Sequence, residues 1–268
     1  MALVEIKDLV FKYNDKYVYN GLDLYLEEGS WTTIIGRNGT GKSTLAKLLV
    51  GLLPNNNSIT IDGLELNKEN ISAIRKKIGI VFENPDNQFI SETVIGDLVF
   101  GMENLRISRY DQERKLKEIV DYFNISELLN KDPHRLSGGE KQLIALAGIL
   151  ITDPKILILD EAFTMVDGIM KKKIYNLLKK LHREKHLTII NITHDIEDTI
   201  YGKDIVLISD KRVIAHEKKE LIYNNEKILK KVGFEPPFMA NLSIKLSYYN
   251  LVDKIILDMN EMVKALWK

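Results

Sequence analysis

Short runs of β-branched and other apolar residues alternate along this chain with segments whose apolar residues recur at helical spacing. The strand-like runs are residues 4–6, 31–35, 78–82, 156–159, 187–192 and 205–208. Because parallel neighbours need a crossover connection, this alternation predicts an α/β fold with a largely parallel sheet. Residues 156–159 and 188–192 are almost unbroken apolar runs, so we expect them to be central strands covered on both faces.

A glycine-rich loop lies between the predicted strand 31–35 and a helix-like segment, 43–53. Its sequence, Gly36-Arg-Asn-Gly-Thr-Gly-Lys-Ser-Thr44, satisfies G-x-x-x-x-G-K-[ST], and both flanks are those that the motif requires, which disfavours a chance match. Glycines let backbone N–H groups surround an anion, and the helix N-terminus adds partial positive charge. Lys42 is predicted to reach the β- and γ-phosphates of a nucleoside triphosphate, and Ser43 to bind Mg²⁺. The residues predicted to bind the nucleotide here are Gly36, Asn38, Gly39, Thr40, Gly41, Lys42, Ser43 and Thr44.

Two adjacent carboxylates end the apolar run 156–159. An acid at such a strand end supports the Mg²⁺ shell in P-loop NTPases, so Asp160 is a predicted metal residue. Glu161 follows the strand and is placed to act as general base on an attacking water. A charged strand end or helix cap would explain an isolated Asp-Glu pair, but the phosphate loop in the same chain favours the catalytic interpretation.

Composition excludes several other classes of protein. Lys plus Arg and Asp plus Glu both number 38, so no net field attracts nucleic acid or anionic lipid. The chain has no cysteine, which excludes disulfides and thiolate chemistry and suits a reducing compartment. The longest nearly apolar stretch, 143–151, is far shorter than the about twenty residues of a membrane span, and residues 1–8 are typical of a strand, not a targeting signal.

The pattern also suggests how the chain is organised around its sheet. Residues 91–130 have helical spacing and predict a helical insert beside the sheet without a catalytic role. Asp210-Lys211 predicts a hairpin turn. Residues 219–268 are predicted to be mostly helical, interrupted at 235–237, and their apolar stripe either packs back on the sheet domain or covers a dimer interface.

Two further motifs occur in a fixed order with those above. Leu136-Ser-Gly-Gly-Glu-Lys-Gln142 precedes Asp160, and Thr193-His-Asp195 follows a predicted strand. The Ser-Gly-Gly turn alone could be an ordinary turn and helix N-cap. Together with the phosphate loop and the Asp160-Glu161 pair, however, the chain resembles an ABC-type ATPase over residues 1 to about 218.

That resemblance implies a fold, two ligands and a division into parts. The fold is an α/β P-loop NTPase cassette with a mostly parallel central sheet and an N-terminal antiparallel β part. Residues 1–218 form the ATP-binding cassette, with a helical subdomain at about 88–152, and residues 219–268 form a C-terminal helical extension that serves dimerisation. The cofactors implied are ATP and Mg²⁺.

The resemblance also assigns catalytic roles residue by residue. Lys42, Glu161 and His194 are the implied catalytic residues, with His194 contacting the γ-phosphate and orienting the water; a histidine at a strand end is otherwise more often structural. Tyr13 matches the aromatic residue that stacks on adenine. The implied metal residues are Ser43, Glu83 and Asp160.

Other matching positions are implied to act between two chains. In the family Ser137, Gly138 and Gly139 bind the γ-phosphate held by the other subunit, and Asp167 lies in the loop that crosses the interface. Two cassettes then sandwich two ATP molecules. An isolated chain is therefore expected to hydrolyse ATP poorly.

A narrower similarity lies at Val81-Phe-Glu-Asn-Pro-Asp-Asn-Gln-Phe89 and at 97–104. These strings are similar to the ATP-binding subunits of energy-coupling factor importers, which take up vitamins, cobalt or nickel. The implied partners are a second ATPase, identical or paralogous, a transmembrane coupling protein and a substrate-binding membrane protein, with no nucleic acid. The implied location is the cytoplasmic face of the cell membrane, peripherally bound. Asp97 and its neighbours are candidates for meeting arginines of the coupling protein.

The chain departs from the family pattern at three places. Glu83 stands where glutamine is usual, which adds a charge beside Asp160 and Glu161, and Gln88 is not placed to substitute. Leu143 and Gly168 replace a common arginine and proline. We expect the chain to hydrolyse ATP, and we favour a paralogue as its partner ATPase. One alternative is a weakly hydrolysing half of an asymmetric ATPase dimer, and another is a soluble, non-transport ABC ATPase. Neutral charge and a single cassette disfavour the latter.

Overall fold

A computed structural model describes residues 2–267 and contains two sheets. The first has four antiparallel strands in the order β2-β1-β4-β5. The second has six strands in the order β10-β9-β3-β8-β7-β6, in which only β10 is antiparallel. The strands are β1 (Ala2–Tyr13), β2 (Lys16–Glu27), β3 (Trp31–Ile35), β4 (Ile59–Ile61), β5 (Leu64–Glu65), β6 (Ile78–Phe82), β7 (Ile156–Asp160), β8 (Thr188–Thr193), β9 (Asp204–Ser209) and β10 (Arg212–Lys218).

Ten α-helices within residues 2–267 surround these sheets. They are α1 (Lys42–Leu49), α2 (Ile71–Arg75), α3 (Val94–Asn104), α4 (Arg109–Phe123), α5 (Gly138–Leu150), α6 (Gly168–Lys185), α7 (Lys219–Asn224), α8 (Glu226–Val232), α9 (Phe238–Ser247) and α10 (Met259–Leu266). Short 3₁₀ turns precede α3 at Pro85–Asn87 and α5 at Pro133–Arg135. The predicted α/β fold with a mostly parallel sheet and an N-terminal antiparallel part is confirmed.

The central strands β7 and β8 are buried along their whole length, as their unbroken apolar runs predicted. In β7, Ile156 and Ile158 pack in one core with α1 and the N-terminal sheet, whereas Leu157 and Leu159 pack on the other side with α5 and α6. The sheet therefore has a helical layer on one face and an α1–β layer on the other. Because β3, β7 and β8 run parallel, their carboxyl ends lie at one edge of the sheet.

The C-terminal extension, residues 219–267 as described, packs against the β9 side of the sheet. Ile222, Tyr223 and Leu229 share a core cluster with Ile35 and Leu207. Other apolar side chains of the extension remain exposed; they include Phe238, Tyr248, Tyr249, Leu251, Met259 and Trp267. The extension thus uses part of its apolar stripe for packing and leaves part uncovered. Within residues 2–267, no helix has both the length and the apolar character that a membrane crossing requires.

Candidate functional site

The phosphate loop, residues 36–44, is shaped by glycines and by a tyrosine of the N-terminal sheet. Gly39 and Gly41 have φ values of 81° and 97°, in the left-handed region. A Cβ at position 41 would lie 2.5 Å from Val18 Cγ1 and 3.0 Å from the Tyr19 hydroxyl. The buried Tyr19 donates from that hydroxyl to the Gly41 carbonyl at 2.7 Å. Conformation and space both require glycine at position 41, and β2 fixes the loop where it enters α1.

Lys42 is the first residue of α1, and only 4% of it is exposed. Its Nζ donates to the carbonyls of Gly36 at 2.9 Å and Arg37 at 3.2 Å. The same ammonium lies 3.5 Å from Glu161 Oε1. Lys42 therefore links the loop to the end of β7.

Glu161 occupies the position just past β7 with φ of 52°, a conformation that a non-glycine residue keeps only where its surroundings hold it. Its N–H donates to the Ile192 carbonyl of β8 at 2.9 Å. Its Oε2 lies 2.8 Å from Nδ1 of His194, which follows β8. One carboxylate thus contacts both the loop lysine and the histidine, and the three predicted catalytic residues lie together.

Asp160, the last residue of β7, is buried. Burial raises the pKa of its carboxyl above the usual range; the Ser43 hydroxyl opposes this, and the charges of Glu161 and Glu83 add to it. Its Oδ1 is buried and accepts no hydrogen bond from any described residue. A buried, unpaired carboxylate oxygen beside a hydroxyl is the kind of donor that a hard divalent cation satisfies.

The donor set around Asp160 fits Mg²⁺ rather than a metal held by protein alone. Within residues 2–267, no three His, Asp or Glu side chains form a cluster that could hold a metal ion. Mg²⁺ is usually bound by one or two carboxylates together with water and substrate phosphates. Ser43 and Asp160 therefore suit a site that nucleotide phosphates complete.

Glu83 lies just past β6 with its side chain exposed, near enough to influence the Asp160 pKa. Its backbone carbonyl accepts from Nε2 of the buried Gln142 at 2.7 Å, as does the Phe82 carbonyl at 3.1 Å. Gln88 instead binds the β6 backbone, accepting from Phe82 N at 3.0 Å and donating to Ile80 O at 3.2 Å. Its amide is committed to β6, so the prediction that it does not substitute at position 83 stands.

The Ser-Gly-Gly turn begins α5 and is a complete capping box. Ser137 N donates to Glu140 Oε2 at 2.9 Å, and Glu140 N donates to Ser137 Oγ at 3.4 Å. A Cβ at Gly139 would come within 3.0 Å of Met170 Cγ on α6. Among residues 2–267, no hydrogen bond or ion pair joins this turn to the phosphate loop. Within a single chain, the Ser-Gly-Gly turn therefore packs against the start of α6 and the loop before it, and not against the phosphate loop.

Comparison with known proteins gives a consistent result over most of the chain. Residues 19–164 match the family model described as ABC transporter. An energy-coupling factor transporter ATP-binding protein of Pediococcus pentosaceus is 36% identical over 97% of this chain and 94% of the relative. The chain belongs to the energy-coupling factor group of ABC transporter ATP-binding proteins.

Solved structures agree with this membership. The Clostridium perfringens protein cbiO1, described as part of the ABC transporter complex cbiONQ, matches with a TM-score of 0.78 and 29% identity. The match covers 94% of this chain and 99% of that one. An ATP-binding cassette dimer in a post-hydrolysis state with ADP and Pi matches with a TM-score of 0.71 and 28% identity over 80% of this chain and 98% of that one.

In this ABC protein, sequence reasoning missed a partly buried ion-pair group beside the histidine. Lys171 Nζ on α6 lies 2.6 Å from Asp198 Oδ1 and 2.9 Å from Asp195 Oδ2. Burial acts to lower the pKa of Lys171, but hydrogen bonds and charge from those two aspartates together outweigh it and raise the pKa. Since Asp195 follows His194, Lys171 ties the histidine loop to α6. The only signal in the sequence is a lysine within a run of three, which is typical of a solvated face.

Three other candidate residues of this ABC protein stand apart from Lys42, Glu161 and His194. Asp167 caps α6 by accepting from Ile169 N and Met170 N, both at 3.0 Å. Tyr13 ends β1, half exposed, with its ring edge-on to Phe11 at 5.0 Å between centroids; adenine stacking stays a prediction. Asp97 Oδ1 accepts from the backbone N–H groups of residues 90 and 91, and its buried Oδ2 accepts from no described residue.

Proposed function

We propose that this chain is the ATP-hydrolysing motor subunit of an energy-coupling factor importer, powering uptake of a vitamin or a transition-metal ion. The observation that carries the proposal is Glu161, which lies between Lys42 of the phosphate loop and His194 at the carboxyl edge of the sheet. A carboxylate so held can accept a proton from water only a short distance from where the loop binds phosphate.

Each residue of the group has a distinct part in hydrolysis. Lys42 and the loop N–H groups bind the β- and γ-phosphates and offset their charge. Glu161 takes the proton of the attacking water, and His194 holds the water and the γ-phosphate in line. Bound Mg²⁺ supplies neutralisation of the phosphate charge, and Ser43 and Asp160, with Glu83 nearby, would hold it. Asp160 Oδ1 would offer the metal one oxygen ligand that is shielded from water.

A second cassette completes the site. Within the described residues, the Ser137 turn makes no hydrogen bond to this chain's own phosphate loop. The capping box uses the N–H groups of Ser137 and Glu140, whereas those of Gly138 and Gly139, at the start of α5, donate to no described residue, and such N–H groups bind anions well. Met165 and Ile169, beside it, are exposed apolar residues, the kind that an interface covers. These features support binding of the γ-phosphate in the partner's loop by Ser137, Gly138 and Gly139. Glu83 and Gly168 favour a paralogue as that partner.

The remaining partners belong to the membrane. Ile90, Phe100 and Tyr110 are exposed on the helical subdomain, and the partly exposed Asp97 adds a carboxylate to the same region. This surface suits a basic, partly apolar helix of a transmembrane coupling protein, which in turn engages a substrate-binding membrane protein. The chain would then lie peripherally on the cytoplasmic face of the cell membrane.

Hydrolysis measured over a range of protein concentrations tests the proposal. Mg²⁺-ATP turnover by the purified chain is compared with a Glu161→Gln variant and with Glu113→Gln, an exposed glutamate of α4. Because a paralogue is the favoured partner, we expect only weak activity from the chain alone. That activity should rise with more than first order in protein, be abolished by Glu161→Gln and be unchanged by Glu113→Gln. First-order activity that survives Glu161→Gln would contradict the proposal. ATP binding without turnover at any concentration would assign catalysis to a dimer with a paralogue.

A further inference from the structure

The phosphate loop contacts the C-terminal extension through Arg37, the second residue of the loop. Arg37 Nε donates to the carbonyl of Val232 at 3.0 Å. Val232 is the last residue of α8, where helix carbonyls have no partner within the helix. A cationic donor is favoured there because it also meets the negative end of the helix dipole.

Gly233, the next residue, is shaped to receive this side chain. It ends α8 with φ of 78°, in the left-handed region. A Cβ at this position would overlap the Arg37 guanidinium at Nη2, Nε and Cζ. The guanidinium therefore lies directly on the backbone of residue 233, and any side chain there would displace it.

Arg37 contributes to the shape of the loop through its other end. Its carbonyl accepts from Thr40 Oγ1 at 2.8 Å, from Thr40 N at 3.3 Å and from Lys42 Nζ at 3.2 Å. One residue thus has its side chain held by the extension and its carbonyl bonded to two phosphate-binding residues. Movement of the guanidinium would be transmitted to the turn that places Lys42.

The extension is itself fixed to the sheet at the base of the loop. Ile35, which directly precedes the loop, is fully buried in one cluster with Val232 and Leu229. Tyr223 Oη and Thr199 Oγ1 are hydrogen-bonded at 2.7 Å, and Phe238 N donates to Glu197 Oε1 at 2.7 Å. The Arg37 contact therefore joins the loop to a packed body and not to a free tail.

We propose that Arg37 is a positioning residue for ATP binding, through which the C-terminal extension holds the phosphate loop in its phosphate-binding shape. The proposal rests on the proposed function, since it assumes that the loop binds ATP. It makes the extension part of the nucleotide site as well as a surface for the second ATPase.

Affinity for a Mg²⁺-bound, non-hydrolysable ATP analogue, measured by titration calorimetry, tests this role. Arg37→Ala, Arg37→Lys and Gly233→Ala should each raise Kd about tenfold, the worth of one charge-assisted hydrogen bond. Gly63→Ala is the matched control: Gly63 has φ of 75°, and no described atom lies within 4 Å of an added Cβ. It adds the same backbone strain without touching Arg37, so it should leave Kd unchanged.

Further variants separate positioning from a direct charge effect. Because they break the same contact, Arg37→Ala and Gly233→Ala combined should weaken binding no more than either alone. In hydrolysis assays KM should rise about tenfold while kcat changes less than twofold. If Arg37→Lys and Gly233→Ala bind like the unaltered chain, Arg37 acts by charge alone and the proposal is wrong.

The same titrations report separately on the proposed function. The unaltered chain should bind the analogue, and Lys42→Ala should abolish binding. No binding by the unaltered chain would overturn the proposed function together with this role. Normal binding by the unaltered chain and by every Arg37 and Gly233 variant would overturn the Arg37 role alone.

Discussion

At the scale of single residues, Lys171 holds two aspartates close together beside His194, the proposed catalytic histidine. Lys171→Met would leave Asp198 buried and unpaired, so we expect a loss of about 3 kcal/mol in the free energy of unfolding. The loop carrying His194 would also loosen, so kcat should fall while ATP affinity is retained. Urea unfolding and nucleotide titration measure the two effects. The exposed neighbour Lys172 provides the control, since Lys172→Met should change neither quantity.

Whereas loss of Lys171 should destabilise the chain, replacement of Asp160 should stabilise it. Burial raises the pKa of its carboxyl in the folded chain, so the stability that this group contributes at low pH is lost as pH rises through the folded pKa. At pH 7 the ionised carboxylate is a cost, and Asp160→Asn should raise Tm of the nucleotide-free chain by about 2–4 °C for a gain of about 1 kcal/mol. The gain should shrink as pH falls through the folded pKa and be absent below about pH 4, near the unfolded pKa.

Calorimetric scans with and without Mg²⁺-ATP check this prediction. The unaltered chain should gain Tm when Mg²⁺-ATP is added, whereas Asp160→Asn should gain little. An Asp160→Asn chain that is less stable at pH 7 would show that the Ser43 hydrogen bond outweighs the cost of burial. A shift of equal size from Mg²⁺-ATP in both chains would remove Asp160 from the metal site.

The residues that could be predicted from the sequence are those whose neighbours in space follow from strand order. Gly36–Thr44, Asp160, Glu161 and His194 all lie at the carboxyl ends of parallel strands, so an α/β sheet brings them together. The contact of Arg37 with Val232 joins residues far apart in sequence through a glycine turn. No spacing rule predicts such a contact, because it depends on how the extension packs.

At the scale of elements, α5 is joined to the end of β6 by the side chain of Gln142. Its amide serves two carbonyls in a buried setting, so Gln142→Leu should lower the free energy of unfolding by about 1–3 kcal/mol. Gln112→Leu, which removes one partly exposed bond to Ile107, should cost about 0.5 kcal/mol or less. Chemical denaturation compares the two. Equal losses would mean that the β6 end is supported by other contacts, such as the Lys141–Asp86 pair.

Strand prediction succeeded where burial on both faces produces a nearly unbroken apolar run, as in β7 and β8. It did not locate β2, whose buried residues alternate with polar ones and whose Asn-Gly-Leu-Asp stretch is typical of a turn. The two-residue β5 is too short for any period to be read. Elements at the sheet edge are therefore set by pairing partners and not by their own pattern.

At the scale of the whole molecule, the uncovered apolar side chains of the extension point to association with a second ATPase. Tyr249 is 77% exposed on the extension and Tyr110 is 78% exposed on α4 of the helical subdomain. If the extension forms the interface, Tyr249→Lys should weaken ATP-dependent self-association about tenfold or more, since a buried tyrosine commonly contributes about 1.4 kcal/mol or more at an interface. Tyr110→Lys, with the same loss of exposed aromatic area, should not. Sedimentation of chains carrying Glu161→Gln, which should block turnover, measures the association constant. If only Tyr110→Lys weakens association, the interface lies on the helical subdomain. The extension would then pack on the sheet and hold the phosphate loop but would not form the interface.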